Sequence, residues 1–158
     1  MNEITYRDAD IEDSKTIQDL AVELCEWESQ QFDENYDWQN PKSEQWKESI
    51  EHAINSTDYI VMIVEINKKA IWFILWWVSE SAFYWKFEKL WELHKLYVNP
   101  EHRWKWIWEK LMKIFMEFMT EKDVDRTEIY TFYDNDVNDF YEKFWFEKKA
   151  LFLRKDNN

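Results

Sequence analysis

The segment 96–111 joins a strand end, a turn and a helix start, and it carries a local excess of basic side chains. Leu96-Tyr97-Val98 is β-prone and Asn99-Pro100 ends it, while helical periodicity begins near Lys105. Between His102 and Lys113 there are one arginine and three lysines against one glutamate, in a chain of net charge -13. The first N–H groups of a helix lack partners and lie at the positive end of its dipole, so they bind anions. The pattern predicts an anion site, and a merely solvated basic helix start remains the alternative.

The elements that must position this segment follow from the apolar periodicity along the chain. The predicted order is β-α-α-β-β-β-α-β-α-β, with a hairpin in the middle and a strand-helix-strand unit after it. This order predicts an α/β fold with a mixed sheet, in one domain over residues 1–158. Strands are predicted at 4–7, 59–66, 70–78, 93–98, 128–133 and 146–154, and helices at 11–24, 41–55, 105–122 and 136–144, with a polar loop at 28–40.

The composition is that of a globular protein, with 46 % apolar and 34 % charged residues. No apolar run reaches the ~18 residues of a membrane span, and no signal peptide is visible at the start. A single cysteine, Cys25, excludes an intrachain disulfide. We therefore expect a cytoplasmic protein with no membrane partner.

The acidic net charge argues against a nucleic-acid partner, because phosphate backbones would be repelled. Tryptophans and lysines interleave at 104–108, a pattern also found in single-strand binders, but the charge of -13 opposes that function. His52 and His102 have no cysteine or histidine at ligand spacing, so the sequence predicts no metal site.

The content of two residue types is unusual, with 12 tryptophans and no glycine. Average glycine usage of about 7 % would give roughly 11 glycines. The hypothesis that follows is that tryptophans stand at positions suited to glycine, and backbone geometry tests it position by position.

Two motifs support a family resemblance. Arg103, Trp106 and Trp108 occupy the positions of an Arg-x-x-Gly-x-Gly or Ala motif, and Asn135 to Phe146 contains Phe-Tyr-Glu-Lys. In this order and separation, the segments resemble the pyrophosphate loop and second signature of the GNAT N-acetyltransferases, and 70–74 resembles their hairpin strand. Tryptophan stands where that family has or favours glycine at five places, Trp72, Trp104, Trp106, Trp108 and Trp145.

The resemblance implies that acetyl-CoA is the cosubstrate and that a primary amine attacks it directly in a ternary complex. It implies Tyr141 as general acid and Glu92 as general base, with His94 as the alternative base. Simple alternation puts Glu92, His94, Leu96 and Val98 on one strand face. The expected cofactor contacts are the backbone of Leu96, Tyr97 and Val98, either Asn135 or Asn138, and the loop residues Arg103, Trp104, Lys105, Trp106, Ile107 and Trp108.

The acceptor and the alternative functions rest on weaker features. Asp33, Glu34 and Asp37 make the loop before the second helix acidic, which favours a cationic small molecule or a peptide terminus as acceptor. Indoles in the pyrophosphate loop would crowd the approach of phosphate, so we expect poor acetyl-CoA binding. The alternative is a non-catalytic module that binds a partner or forms a homodimer through its apolar surface.

Overall fold

Five strands and four helices follow one another along the described chain in nearly the predicted order. The computed structural model describes residues 3–80, 86, 88–98, 105–132 and 138–150, with the backbone alone at 78–80, 94–98, 105 and 138. No helix in these ranges combines the length and apolar content that a bilayer crossing requires. The elements are β1 Ile4–Asp8, α1 Ser14–Gln31, α2 Glu44–Ile54, β2 Tyr59–Ile66, β3 Lys69–Glu80, β4 Lys89–Val98, α3 Lys105–Glu121, β5 Arg126–Ile129 and α4 Asn138–Glu142.

The strands form one mixed sheet in sequence order, which confirms the predicted α/β class. Pairing is antiparallel from β1 to β4 and parallel between β4 and β5. Parallel neighbours need a crossover, and α3 provides it. The β2–β3 hairpin turns at Asn67 and Lys68, whose φ angles of 51° and 65° suit a type I′ turn.

Helices cover both faces of the sheet, so the fold has three layers. On one face α1 and α2 pack against the alternate positions Ile63, Phe73 and Leu75. On the other face α3 and α4 pack against Val64, Ile74 and their neighbours, through residues that include Phe115 and Tyr141. The near-continuous apolar runs of β2 and β3 reflect this double burial.

Large aromatic side chains fill the α3 side of the sheet. Trp76 stacks on Phe115 with a centroid separation of 4.4 Å, and Trp91 packs on Phe118 at 5.1 Å. The indole N–H groups of Trp72, Trp76 and Trp91 are buried and find no acceptor within the described part of the chain. Each such buried donor costs about 1–3 kcal/mol.

One extra residue in β4 changes the predicted alternation of its side chains. The register pairs Trp76 with Leu93 but Leu75 with Lys95, so His94 is the extra residue of a β-bulge. Glu92 pairs with Trp77, whereas Leu96 pairs with Ile74. Because Trp77 and Ile74 occupy positions of opposite phase in β3, the prediction that Glu92, His94, Leu96 and Val98 share one face is wrong.

The end of the chain differs from the prediction. Residues 146–150 are not in a strand, so the predicted closing strand at 146–154 is absent from its described part, and 151–154 lie outside the described residues. Glu147, Lys148 and Lys149 are exposed charged residues, and a strand of this composition gains no core contacts. β5 also ends earlier than predicted, at Ile129, and β4 begins earlier, at Lys89.

A left-handed residue ends α4 and fixes the position of Tyr141. The Phe146 backbone N–H donates to the Tyr141 carbonyl oxygen at 3.3 Å, and the Trp145 backbone N–H donates to the Glu142 carbonyl oxygen at 3.1 Å. These two bonds define a Schellman motif, whose usual apolar contact is made here by the rings of Tyr141 and Phe146, 6.0 Å apart. Trp145 occupies its C′ position with φ 63°, a region that favours glycine.

Replacing Trp145 by glycine is expected to stabilise the protein. A non-glycine residue in the left-handed region costs roughly 1–2 kcal/mol, and the Trp145 side chain, 85 % exposed, contributes little packing. We expect Trp145→Gly to raise the free energy of unfolding by about 1 kcal/mol, or Tm by about 2–4 °C, in urea and thermal melts.

The matched control is Trp106→Gly, which removes another exposed tryptophan, but from the helical backbone of α3. Glycine is unfavourable in a helix, so this variant should gain no stability. Equal gains from both substitutions would mean that removal of an exposed indole, and not the φ angle, is responsible.

Candidate active site

The parallel pairing of β4 with β5 stops at the β4 bulge. Its register runs from Leu90–Arg126 to Leu93–Ile129, whereas β4 continues to Val98. Beyond the bulge the backbone of Leu96, Tyr97 and Val98 pairs with β3, at Ile74, Phe73 and Trp72. In the described pairings the β5-side edge of this part of β4 is unused, so it can pair with an extended polar chain.

The helix that follows β4 begins at Lys105, and its first turn contains two of the tryptophans in question. Trp106 is half exposed, at 50 %, whereas Ile107 is fully buried. Trp108 points into the core, with its ring 5.3 Å from Trp72 and 5.4 Å from Phe140. Of the two described indoles in this turn, therefore, Trp106 is the exposed one, and Trp108 is partly buried.

Other predicted cofactor contacts fall at the limits of the described chain. Arg103, Trp104 and Asn135 lie outside the described residues, and Asn138 is the first residue of α4, where the backbone alone is described. The choice between Asn135 and Asn138 therefore stays a prediction. His94, the alternative base, is the bulge residue of β4.

Tyr141 lies on the α3 side of the sheet, in the same cluster as Trp91 and Leu93 of β4. Its side chain is 7 % exposed and packs edge-on against Phe140 and Phe146. Burial raises the pKa of the Tyr141 phenol above its usual value of 10.0. At neutral pH the group is therefore a protonated phenol, which is a proton donor.

Glu92 lies on the opposite face, beside a second carboxylate. The register places Glu92 between Trp77 of β3 and Glu128 of β5. Partial burial and, secondarily, the charge of Glu128 raise the pKa of the Glu92 carboxyl. Glu128 itself accepts a hydrogen bond from the Tyr130 hydroxyl at 3.0 Å and lies 3.7 Å from Arg126.

Glu128 and Trp77 are neighbours of Glu92 that the sequence analysis did not identify. Both lie in strands, and only the pairing register brings them to Glu92. The acidic loop is less available than its composition suggested, because Asp33 and Asp37 accept backbone N–H groups of Asn35 and Gln39 in their own turns.

The residues that the structure describes contain no group of three histidine, cysteine, aspartate or glutamate side chains arranged to hold a metal ion. The catalytic candidates are the Tyr141 phenol on the α3 face, the Glu92 carboxylate on the opposite face, and His94 at the bulge as the alternative base. Proton transfer is the chemistry that such groups perform.

Solved structures with the same fold cover nearly the whole chain. A mutant of a Bacillus halodurans protein is 13 % identical to this chain, with a TM-score of 0.83. The match covers 98 % of this chain and 99 % of that protein. A predicted acetyltransferase from Clostridium acetobutylicum, solved with acetyl-CoA, is 15 % identical with TM-score 0.77 and coverages of 98 % and 96 %. An aminoglycoside acetyltransferase from an uncultured soil metagenomic sample, in complex with sisomicin, is 16 % identical with TM-score 0.68 and coverages of 98 % and 97 %.

At these identities the structural likeness concerns the fold alone. No curated protein sequence matches the chain significantly. A family model, however, that of the acetyltransferase (GNAT) family, matches residues 21–146, which include β4, α3 and Tyr141. The chain therefore belongs to the GNAT family of N-acetyltransferases, which use acetyl-CoA as cosubstrate.

Proposed function

We propose that this protein transfers the acetyl group of acetyl-CoA to a cationic primary amine by direct attack in a ternary complex. The observation that carries the proposal is that Tyr141 shares the cluster on the α3 face with Leu93 and Ile129, the last β4–β5 pair, whereas Glu92 precedes Leu93 and lies on the opposite face. Because that pairing ends there, a reacting group at the junction is accessible to both side chains.

Each residue has one proton to move. The Glu92 carboxylate takes a proton from the acceptor ammonium, directly or through a water, and so frees the nitrogen lone pair. Acetyl-CoA supplies the acetyl carbon as a thioester. The nitrogen–carbon bond forms, the attacking nitrogen loses its second proton to water, the carbon–sulfur bond breaks, and the Tyr141 hydroxyl donates its proton to the departing sulfur. Such proton transfers contribute about 10²–10⁴-fold each to rate.

The residues proposed to hold acetyl-CoA fit its shape and charge. The open edge of β4 at Leu96–Val98 offers N–H and C=O groups for the amides of the pantetheine arm. The start of α3 offers N–H groups and a positive dipole end for the pyrophosphate. Inward packing of Trp108 leaves Trp106 as the described indole that crowds this approach.

A cationic acceptor is supported by the charge of the proposed acceptor side. Glu92 and Glu128 are adjacent on it, and the whole chain has a charge of -13. An aminoglycoside acetyltransferase of the same fold was solved in complex with sisomicin. The direct test is release of free CoA from acetyl-CoA with a panel of amines, and no release with any amine would contradict the proposal.

Replacing Tyr141 by phenylalanine is expected to lower kcat about 10²-fold or more, because the variant lacks the phenolic proton. The ring packing against Phe140 and Phe146 is preserved, so Tm should change little. Steady-state CoA release and a thermal melt measure the two quantities.

Tyr6→Phe is the matched control, because burial also raises the pKa of the Tyr6 phenol but Tyr6 lies in β1. Its turnover should be unchanged. Full activity of Tyr141→Phe would remove this tyrosine from the mechanism.

Removing the charge of Glu128 is expected to move the acidic limb of the pH–kcat/KM profile. A general base works only above its pKa, and Glu128 helps to raise the pKa of Glu92. In Glu128→Gln the pKa of Glu92 falls, so activity should persist to lower pH; the shift is partial because burial, the larger cause, remains.

The control for this profile is Glu92→Gln, which lacks the titrating base. Its kcat/KM should fall about 10²–10⁴-fold, and the acidic limb of its pH profile should disappear. An unchanged acidic limb in Glu92→Gln would assign the limb to another group.

Replacing Trp106 by glycine is expected to tighten acetyl-CoA binding. Steric crowding of a well-packed site costs about 1–3 kcal/mol, so its relief corresponds to an affinity gain on the order of tenfold. Trp108→Gly is the contrasting variant, because loss of its contacts with Trp72 and Phe140 should destabilise the core by roughly 3–5 kcal/mol.

Calorimetric titration with acetyl-CoA measures both variants. Tight binding by the unmodified chain would contradict the expectation of a crowded loop. Absence of binding by the unmodified chain and by Trp106→Gly would favour the non-catalytic module instead.

A further inference from the structure

Four partly buried side chains form a row across the α1–α2 face of the sheet. The registers pair Tyr59 with Trp77, Trp77 with Glu92, and Glu92 with Glu128, on strands β2 to β5 in turn. Cross-strand partners project from the same face and lie about 4.5–5.5 Å apart at Cβ. None of the four is fully buried, so the helices leave this row incompletely covered.

The aromatic half of the row forms one wall of an open cleft. The cleft has a volume of about 550 Å³ and lies between α2 and the strands β2 and β3. Tyr59 and Trp77 are 6.1 Å apart, and His52 of α2 packs edge-on to Tyr59 at 5.8 Å. Trp46, Ile50, Ala53 and Leu75 supply the rest of the apolar lining. The cleft therefore suits a flat apolar group.

The acidic half of the row has the opposite chemistry. Glu128 is near Arg126, at 3.7 Å, whereas Glu92 has no cationic partner among the residues that the structure describes. A ligand ammonium would supply that partner and relieve the repulsion between the two carboxylates. Trp77 is shared by both halves, since it lines the cleft and pairs with Glu92.

We propose that this row selects the acceptor, and that the acceptor is an arylalkylamine whose ring packs on Trp77 while its ammonium lies at Glu92. This inference rests on the proposed acetyl transfer and defines its substrate class. Neighbouring strands are about 4.8 Å apart, and two methylenes place an amine nitrogen roughly 5 Å from the centre of its ring. An arylethylamine therefore matches the separation of Trp77 and Glu92.

The first experiment measures binding to the unmodified protein in the absence of acetyl-CoA. Fluorotryptophan-labelled protein is titrated with 2-phenylethylamine, with n-butylamine, which lacks the ring, and with 2-phenylethanol, which lacks the charge. We expect 2-phenylethylamine to bind about tenfold more tightly than either analogue. Each analogue lacks either the aromatic contact or the charge contact, and the loss of one such contact corresponds to about that change in affinity. 2-Phenylethylamine should shift the Trp77 fluorine resonance, identified by its loss in Trp77→Phe.

The second experiment locates the contact. Trp77→Leu should weaken 2-phenylethylamine binding about tenfold and leave n-butylamine binding unchanged, while Trp77→Phe, which keeps a ring, should retain most of the affinity. Trp38→Leu is the matched control, because Trp38 packs on Lys42 outside the cleft. Equal affinity for n-butylamine, or equal losses from Trp38→Leu and Trp77→Leu, would overturn the inference.

Turnover separates this inference from the proposed function. If 2-phenylethylamine binds at Trp77 but is not acetylated when acetyl-CoA is added, the result supports the binding site and contradicts acetyl transfer to this amine. Acetylation of 2-phenylethylamine at a rate that Trp77→Leu leaves unchanged would support acetyl transfer and contradict this acceptor class.

Discussion

The site depends on a single extra residue in β4, the strand between β3 and β5. The bulge at His94 of β4 interrupts the ladder with β3, and the parallel pairing with β5 ends immediately before it. The bulge therefore makes the backbone edge of β4 at Leu96–Val98 available. It also determines which face of the sheet Glu92 occupies relative to that segment. Interior strands are usually hydrogen-bonded along both edges, so the edge of β4 that the described pairings leave unused suggests a ligand that pairs with it.

The two faces of the sheet provide different environments for side chains. The α3 face is packed with aromatic side chains around Trp72, Trp76 and Phe115 and holds Tyr141 in a rigid, dry environment. The α1–α2 face is less completely covered where Tyr59, Trp77 and Glu92 lie. A buried phenol suits a proton donor of fixed position, and a partly solvated carboxylate suits a base that meets an incoming acceptor.

The backbone differs among the tryptophans that the sequence analysis assigned to glycine positions of the family. Trp145 has a left-handed backbone at the end of α4, where the absence of a Cβ would matter most. Trp72 directly follows a register shift in β3, Trp108 lies in a helix, and the two rings pack against each other. Positive φ is also found at Lys68 and Asp123, in the β2–β3 hairpin turn and at the end of α3, so the chain satisfies glycine-type geometry with residues other than tryptophan as well.

The sequence by itself determined the class and order of the elements, because hydrophobic periodicity over 59–66 and 105–122 is strong and local. Its motifs also identified Tyr141 and Glu92 as candidates. The closing strand was predicted wrongly at 146–150, because strand formation depends on partners and burial that a local pattern does not contain. The faces of β4, the neighbours Trp77 and Glu128 and the inward turn of Trp108 were decided only by the tertiary structure. Strand register and helix packing join residues far apart in the chain, and one bulge reverses the alternation beyond it.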